Sequence, residues 1–259
     1  MVKLFTKMIS NKKIKKLSIL STKKGRKEEG KFLIEGYRII RSALRNNVSI
    51  EKIYISNKFK TSEGFKTLDS LISENIDVVV LDEKIINKIC QTVNPAGIVA
   101  TCLLPDDFKI TKLLTDNWVF LDKISDPGNI GTLLRTAAWF GINNVAFSSK
   151  CADAFNPKVV RSAVGAHFSL NIVGNMDLFE FKKNQYCIIG ADQNGSPMND
   201  CNFNKKKWVL VIGNEGHGIS ESSKKYIQHF LSIPSNGSGN SLNAAVAGSI
   251  LIHHLINYK

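Results

Sequence analysis

The stretch Val209-Leu-Val-Ile-Gly-Asn-Glu-Gly-His-Gly218 decides the fold, because an apolar run passes directly into a loop with three glycines. An uninterrupted aliphatic run is typical of a strand in a parallel sheet that is covered on both faces. Glycines directly after the strand let the backbone turn tightly and approach a ligand closely. The G-x-x-G-x-G spacing differs from the dinucleotide-binding fingerprint, and the chain contains no G-x-x-x-x-G-K-[ST] phosphate loop. The stretch therefore predicts a strand of a parallel α/β sheet, followed by a glycine loop that either approaches a ligand or only makes a tight turn.

Apolar runs and helical periodicity alternate on both sides of this strand. Strands are predicted at residues 118–121, 144–148, 168–173, 186–191, 208–212 and 230–233, with helices between them and a final helix over residues 241–257. This alternation is typical of a doubly wound α/β domain, whose ligands bind beyond the carboxyl ends of the strands. The loops at those ends should carry the chemistry.

The first part of the chain alternates in the same way and predicts a small α/β domain. Strands are predicted at residues 31–35, 52–56, 77–81 and 97–104, and helices at residues 36–45, 62–74 and 82–90. An amphipathic basic helix is predicted over residues 9–24. The polar stretch that begins at Leu104-Pro-Asp-Asp107 is the predicted boundary, so the domains are residues 1–106 and 107–259.

The positive charge of the protein is concentrated at the start of the chain. The net charge is +13, and residues 1–60 alone hold 17 Lys and Arg against four Asp and Glu. Such a block can bind polyanions by neutralising phosphates, although a solvated tail and a transit peptide are alternative interpretations. If the polyanion is RNA, the predicted RNA-binding residues are Lys12, Lys13, Lys15, Lys16, Lys23, Lys24, Arg26 and Lys27.

Composition excludes several classes of protein. The five cysteines are widely spaced without a CxxC pair, which argues against a disulfide framework and a zinc site and favours a reducing, cytoplasmic setting. No metal site is predicted. No apolar run approaches the roughly 18 residues of a membrane span, so we expect no membrane partner.

Two more loops carry polar candidates. In Leu121-Asp-Lys-Ile-Ser-Asp-Pro-Gly-Asn-Ile-Gly-Thr-Leu-Leu-Arg135, Asp126 and Pro127 are a natural cap and first residue of a helix. Arg135 is expected in the second turn of that helix, where this loop alone favours a surface arginine without a functional role. In Leu231-Ser-Ile-Pro-Ser-Asn-Gly-Ser-Gly-Asn-Ser-Leu-Asn243, a strand enters a flexible loop, and Asn240 or Ser241 can cap the final helix. No G-x-S-x-G elbow surrounds these serines, which argues against a hydrolase.

In order, D-P-G-N-I-G-x-x-x-R-T-A, I-G-N-E-G-x-G-I and I-P-x-x-G-x-x-x-S-L-N resemble the three motifs of the SpoU (TrmH) branch of the SPOUT RNA methyltransferases. The resemblance covers roughly residues 116–257. Upstream, Arg26-Lys-Glu-Glu-Gly-Lys-Phe-Leu-Ile-Glu-Gly36 resembles the entry to the substrate-binding domain that precedes the catalytic domain in many members. The resemblance implies a C-terminal SPOUT domain, in which a parallel sheet contains a deep trefoil knot, after a small α/β RNA substrate-binding domain.

The resemblance also implies roles for matching residues. Arg135 would activate a ribose 2′-hydroxyl, with Asn129 and Glu215 as its supports. S-adenosylmethionine would be the methyl donor and would bind largely to backbone groups in the second and third motifs, and members usually form homodimers. The implied donor-binding residues are Ile212, Gly213, Ile233, Ser241, Leu242 and Asn243.

Several functions remain as alternatives. The favoured one is 2′-O-methylation of RNA, and the N-terminal domain favours ribosomal RNA over transfer RNA. A non-catalytic RNA-binding protein of the same fold is the second alternative, although the joint presence of Arg135, Glu215, Ser241 and Asn243 argues against it. A nucleotide-binding enzyme is the third, but both phosphate-binding fingerprints are missing.

Overall fold

The chain folds into two compact units, each of which has its own sheet. The computed structural model describes residues 4–6, 9–73, 75–105, 116–200, 203, 207–238 and 241–257. Unit 1 consists of Met1–Asp106 with Phe155–Phe168, and unit 2 consists of Asp107–Ala154 with Ser169–Lys259. Unit 1 therefore includes a segment from the second half of the chain.

The strands and helices are numbered here in chain order. The strands are β1 (Leu4–Thr6), β2 (Lys31–Glu35), β3 (Ile50–Ser56), β4 (Asp77–Leu81), β5 (Ile98–Leu103), β6 (Trp118–Leu121), β7 (Asn144–Phe147), β8 (Asn171–Val173), β9 (Cys187–Pro197), β10 (Trp208–Ile212) and β11 (His229–Ser232). The helices are α1 (Asn11–Ser18), α2 (Lys23–Glu29), α3 (Tyr37–Arg45), α4 (Asn57–Lys60), α5 (Glu63–Asp69), α6 (Glu83–Ile89), α7 (Pro127–Trp139), α8 (Pro157–Ala163), α9 (Phe179–Lys183), α10 (Glu221–Lys224) and α11 (Ala244–Asn257).

Unit 1 is built on a mixed five-stranded sheet in the order β1-β4-β3-β5-β2. Strands β1 and β3 run parallel to β4, whereas β5 is antiparallel to β3 and β2. Alternate residues of β2 enter different apolar clusters, because successive side chains of a strand point to opposite faces. Phe32 and Ile34 pack in a cluster that includes Val160 of α8, and Leu33 packs in a cluster that includes Leu17 of α1.

The predicted basic helix over residues 9–24 is wrong in its extent. Helix α1 ends at Ser18, the 3₁₀ turn Ile19–Ser21 follows, and α2 begins at Lys23. Thr22 has an extended backbone, and its side chain accepts a hydrogen bond from the backbone N–H of Gly25. The threonine therefore acts as an N-cap and starts a second helix. Strand β1 and helix α4 were not predicted.

Unit 2 is built on a parallel six-stranded sheet in the order β11-β9-β10-β6-β7-β8. The predicted parallel sheet is therefore confirmed, and β6 and β10 have the predicted bounds. The strand predicted over residues 168–173 is shorter, because Ala166–Ser169 forms a 3₁₀ turn. Strands β6 and β10 are neighbours, so the loops that follow them leave the same edge of the sheet.

Candidate active site

The loop after β6 leads into α7 through a capped first turn. The Asp126 carboxylate accepts a hydrogen bond from the backbone N–H of Asn129 at 2.8 Å, and Pro127 is the first helical residue. Ile130, Leu133 and Leu134 are buried and fix the helix against the sheet. This packing places the half-buried Asn129 at the sheet edge.

The loop after β10 forms a tight turn stabilised from within. The backbone groups of Asn214 and Gly218 exchange hydrogen bonds at 2.9 and 2.8 Å, and the Asn214 side chain accepts from the backbone N–H of Gly216 at 2.9 Å. A Cβ atom on Gly213 would collide with backbone atoms of Gly218 and Ile219. Glycine is therefore required at position 213 for this turn to close.

A buried carboxylate holds the far end of the same turn, and the sequence analysis missed it. Asp122 directly follows β6, is almost completely buried, and accepts a hydrogen bond from the backbone N–H of Ser220 at 2.7 Å. The Asn214 side chain also donates to the backbone carbonyl of Lys123 at 3.1 Å. These contacts tie the loop after β10 to the loop after β6. A polar residue at the end of an apolar strand was the available signal for Asp122.

The three motif loops meet at Asn129. Its side-chain nitrogen donates to the Glu215 carboxylate at 2.5 Å, and its side-chain oxygen accepts from the Asn243 amide at 3.0 Å. A carboxylate can only accept hydrogen bonds, so the Asn129 nitrogen must face Glu215. The orientation of the Asn243 amide then follows, since its oxygen accepts from the backbone N–H of Ala245 at 2.9 Å. One chain of hydrogen bonds thus connects Glu215, Asn129, Asn243 and the start of α11.

The cap of the final helix differs from the prediction. Helix α11 begins at Ala244, and Asn243 supplies the side chain that accepts from the backbone N–H groups of Ala245 and Val246. Ser241 lies too far upstream to cap it, and Asn240 lies outside the described residues. A Cβ atom on Gly248 would lie 2.5 Å from Ile212 Cδ1, so glycine at this position lets α11 pack closely against β10.

Arg135 lies on α7 apart from this chain of hydrogen bonds. It is the ninth residue of the helix and therefore lies in the third turn, one turn later than predicted. Its side chain is exposed and makes no hydrogen bond or ion pair with any residue that the structure describes. Asn129 and Glu215 bond to each other rather than to Arg135. The guanidinium is thus free to meet a ligand.

The residues implied for donor binding lie along the second and third loops. Ile212 and Gly213 are buried, Ile233 is half-buried, and Ser241, Leu242 and Asn243 are exposed. Among the described residues, no partner accepts a hydrogen bond from the backbone N–H of Gly213, Ile233 or Leu242. Backbone groups at these positions are therefore available to a ligand.

Comparison with protein families identifies this arrangement. The profile of the SpoU rRNA methylase family matches residues 116–253, which contain all three loops. The chain belongs to the SpoU rRNA methylase family. Residues 11–100 match an MRM3-like substrate-binding domain, so both domain types implied by the motifs are confirmed.

Individual relatives of this SpoU methylase extend over nearly the whole chain. The 23S rRNA (guanosine(2553)-2′-O)-methyltransferase RlmP of Bacillus subtilis (strain 168) is 34% identical, covering 95% of this chain and 96% of the relative. The 23S rRNA (uridine(2479)-2′-O)-methyltransferase of Streptomyces viridochromogenes is 27% identical over 93% of this chain and 88% of the relative. The structure of the SpoU methyltransferase AviRb from S. viridochromogenes, in complex with AdoMet, shares the fold with a TM-score of 0.85 at 24% identity, covering 95% of this chain and 97% of that one.

The eight predicted RNA-binding residues of the SpoU methylase lie in unit 1, and seven of them reach its surface. Lys12, Lys15, Lys23 and Lys27 are exposed without a described partner, and Lys13 is half-buried. Two others are paired, Lys16 with Glu29 at 2.8 Å and Lys24 with Glu28 at 3.7 Å.

Arg26 differs from the other candidates, because its side chain is only 2% exposed. Its guanidinium donates to the backbone carbonyl of Leu20 at 2.9 Å. In this structure Arg26 therefore joins α2 to the 3₁₀ turn instead of facing a ligand, which corrects its place among the RNA-binding candidates.

The described residues contain no cluster of metal ligands, and none of Cys90, Cys102 and Cys151 has a lowered pKa. Burial raises the pKa of Cys90 and Cys102 to about 12 and also raises the pKa of Cys151, so these residues remain thiols at neutral pH. No group of three or more His, Cys, Asp or Glu residues within the described ranges is placed to hold a metal ion. No helix in those ranges is both long and apolar enough to cross a bilayer.

Proposed function

We propose that this protein transfers a methyl group from S-adenosylmethionine to a ribose 2′-hydroxyl of large-subunit ribosomal RNA. The observation that carries the proposal is the hydrogen-bonded chain Glu215–Asn129–Asn243, which joins all three SpoU motif loops at one sheet edge. Relatives that match the chain over nearly its full length are named as 23S rRNA 2′-O-methyltransferases, which favours ribosomal RNA over transfer RNA.

The residues present fit S-adenosylmethionine. The turn at residues 213–218 is closed so tightly that a Cβ atom on Gly213 has no room, and the backbone N–H groups of Gly213, Ile233 and Leu242 have no described partner. Tight turns with free backbone groups are suited to bind the polar edges of an adenosine. When bound, S-adenosylmethionine supplies a methyl group on a positively charged sulfur.

Arg135 is the residue to which we assign the chemistry of the acceptor. When S-adenosylmethionine supplies its methyl group, the ribose 2′-hydroxyl would gain that group and lose its proton, and the donor would leave as a neutral thioether. A guanidinium is always protonated in proteins, so it is a poor proton acceptor. Arg135 instead binds the neighbouring phosphate and stabilises negative charge on the 2′-oxygen, while the proton passes to another acceptor. Asn129 and Glu215 act as positioning residues for the loops.

A comparison of RNA from cells with and without the gene tests the function directly. We expect one 2′-O-methylated nucleotide of the large-subunit ribosomal RNA to be lost when the gene is deleted and restored by the wild-type gene. Loss of a transfer RNA methylation would identify the alternative substrate. An unchanged methylation map, together with no turnover on total RNA in vitro, would instead favour the non-catalytic RNA-binding protein.

The exposed lysines of unit 1 are proposed to bind RNA phosphates. Changing Lys12, Lys15, Lys23 and Lys27 together to glutamine should weaken RNA binding. The slope of the logarithm of the binding constant against the logarithm of the salt concentration should fall in magnitude by about 3, because each phosphate contact contributes about 0.7–0.9. The affinity for S-adenosylmethionine should not change. The matched Lys→Arg quadruple variant keeps the charge and should retain the slope. If the glutamine variant binds RNA with the wild-type slope, the basic segment is only a solvated surface.

We also propose that the protein is a homodimer assembled through α7 and α11. These helices pack side by side, with the Thr136 and Ser249 hydroxyls 2.9 Å apart. They leave Trp139 83% exposed and Val246 47% exposed, and Leu242 before α11 is also exposed. Apolar surface of this kind marks association sites. Ala245 of α11 is buried within unit 2 and does not belong to this exposed surface.

Sedimentation velocity tests the dimer. The wild-type protein should sediment as a dimer at micromolar concentration, and Trp139→Glu with Val246→Glu should raise the dissociation constant at least 100-fold, because buried aromatic residues dominate interface energies. Phe179→Glu is the matched control, since Phe179 is 46% exposed but lies on α9. A wild-type monomer at micromolar concentration would contradict the proposal.

We propose that the protein acts in the cytoplasm. Cys90, Cys102, Cys151 and Cys187 form no disulfide, which supports a reducing compartment.

A further inference from the structure

Unit 1 contains a cleft that none of the three motifs explains. The cleft has a volume of about 450 Å³ and lies between α4, α6 and the loop of residues 92–97. This volume is within the range of about 300–1,000 Å³ that is typical of small-ligand sites. Two buried apolar side chains and four exposed polar side chains are among its lining residues: Phe59, Ile86, Lys58, Glu83, Asn87 and Asn94.

The polar side chains of the cleft are free to bind a ligand. Lys58, Glu83, Asn87 and Asn94 make no side-chain hydrogen bond or ion pair with any other residue in the described ranges. One lysine and one glutamate cancel in charge, so the cleft differs from a phosphate site. Two amides and a carboxylate instead match the donors and acceptors on the edge of a nucleobase, and the apolar side chains match its faces.

The loop that closes the cleft is anchored at both ends. At one end, the buried Glu35 carboxylate accepts hydrogen bonds from the backbone N–H groups of Gln91 at 2.7 Å and Thr92 at 3.3 Å. At the other end, the backbone N–H of Ser56 donates to the carbonyl of Gly97 at 2.8 Å. Gly97 has a φ of +76°, a conformation that favours glycine. The cleft is therefore formed before any ligand binds, which lowers the entropic cost of binding.

Helix α6 connects the cleft to the basic surface of unit 1. Glu83 and Asn87 on this helix line the cleft, and Lys84 and Lys88 on the same helix are exposed. The Ser18 hydroxyl of α1 donates to the backbone carbonyl of Lys88 at 3.2 Å, so the basic helix α1 packs beside α6. An RNA backbone held by these lysines would pass within reach of the cleft.

We propose that this cleft receives one unpaired nucleotide of the substrate RNA. Asn87, Asn94 and Glu83 bond to the base edge, and Phe59 contacts the base face. The proposal rests on the proposed RNA methyltransferase function and adds that unit 1 selects its RNA by an unstacked base as well as by charge. Recognition of single-stranded loops is the usual route to sequence specificity for RNA, because bases within a helix are inaccessible in the deep major groove.

Two variants test the cleft in different ways. Asn87→Ala with Asn94→Ala removes bonding partners of the base, and Ala96→Trp places a large side chain on the lining. All three positions are exposed, so the variants should fold. Asn57→Ala is the matched control, because Asn57 is an exposed residue of α4 outside the cleft lining. The probe is an unmodified transcript of the large-subunit ribosomal RNA from the source cell.

We expect both cleft variants to lose about 10- to 100-fold in affinity for the transcript and in kcat/KM, because each of them removes the contacts to one base. The salt slope of binding should not change, since no phosphate contact is removed. Affinity for S-adenosylmethionine and binding to a fully paired RNA stem should match the Asn57→Ala control.

Two results would overturn the proposal: cleft variants that bind and methylate the transcript like the control, or an equal loss of affinity for the paired stem. If the cleft variants lose affinity for the transcript as expected but the wild-type protein transfers no methyl group, the proposed function is rejected and the nucleotide-binding role of the cleft is supported. A wild-type protein that does not bind the transcript would reject both.

Discussion

Arg135→Ala should lower turnover at least 100-fold, which corresponds to about 2.7 kcal/mol at 1.36 kcal/mol per decade. Arg135 is exposed on α7 and has no partner among the described residues, so its removal leaves the surrounding packing intact. The backbone groups proposed to hold the methyl donor lie at Gly213, Ile233 and Leu242. The dissociation constant for S-adenosylmethionine should therefore stay within a few-fold, as expected for a residue that acts on the transition state.

Three controls make the Arg135 experiment specific. Arg135→Lys should not restore turnover, because an ammonium lacks the planar fork that binds a phosphate and a hydroxyl together. Arg45→Ala removes one exposed positive charge in unit 1 and should leave kcat nearly unchanged. Methyl transfer is scored by resistance of the modified RNA linkage to alkali, which identifies the 2′-oxygen as the acceptor. Near-normal turnover of Arg135→Ala, or a methyl group on a base, would refute the assignment.

The sheet of unit 2 could be predicted because its strands have a strong local signal. Strands β6 and β10 are uninterrupted apolar runs that end at a polar residue or a glycine, and both have the predicted bounds. A strand needs apolar residues at successive positions when both faces of its sheet are buried, as in a parallel sheet that has helices on both sides. The local pattern therefore carries information about the arrangement of the whole layer.

Features that depend on distant contacts could not be predicted in the same way. Helix α8 contributes Val160 to the core of unit 1, although the segments of the chain directly before residue 155 and directly after residue 168 belong to unit 2. The basic residues around Arg26 in the sequence predict an exposed side chain. Arg26 is buried instead, and its guanidinium donates a hydrogen bond to the backbone carbonyl of Leu20, six residues earlier. Hydrophobic periodicity in the sequence predicts neither the position of Val160 in the core of unit 1 nor the burial of Arg26.

The motif loops of the site were predicted, but the contacts between them were not. Asn129 is separated by 86 residues from Glu215 and by 114 residues from Asn243, and it bonds to both. Asparagine at a helix start is common as a cap or turn residue, so its type alone does not indicate a connection between three loops. The neighbouring strands β6 and β10 bring Asn129 to Glu215, and the packing of α11 against α7 brings Asn243 to Asn129.

Gly213→Ala should weaken binding of S-adenosylmethionine about 30-fold or more, or about 2 kcal/mol at 1.36 kcal/mol per decade. The added Cβ atom would collide with backbone atoms of Gly218 and Ile219, and a backbone collision cannot be relieved by a side-chain rotation. The turn must open, which moves the backbone groups proposed to hold the donor. Overpacking of this kind typically costs about 1–3 kcal/mol.

Gly216→Ala is the matched control within the same turn. The nearest atom to its added Cβ would be Asn214 Oδ1 at 3.6 Å, an ordinary contact, so donor binding should stay within a few-fold of wild type. Calorimetric titration measures both dissociation constants, and thermal unfolding followed by circular dichroism verifies that the variants are folded. Equal donor affinity for the two variants would reject the closed turn as the donor site. Weaker binding by Gly213→Ala alone would support it, because the substitutions differ only in what the added methyl group contacts.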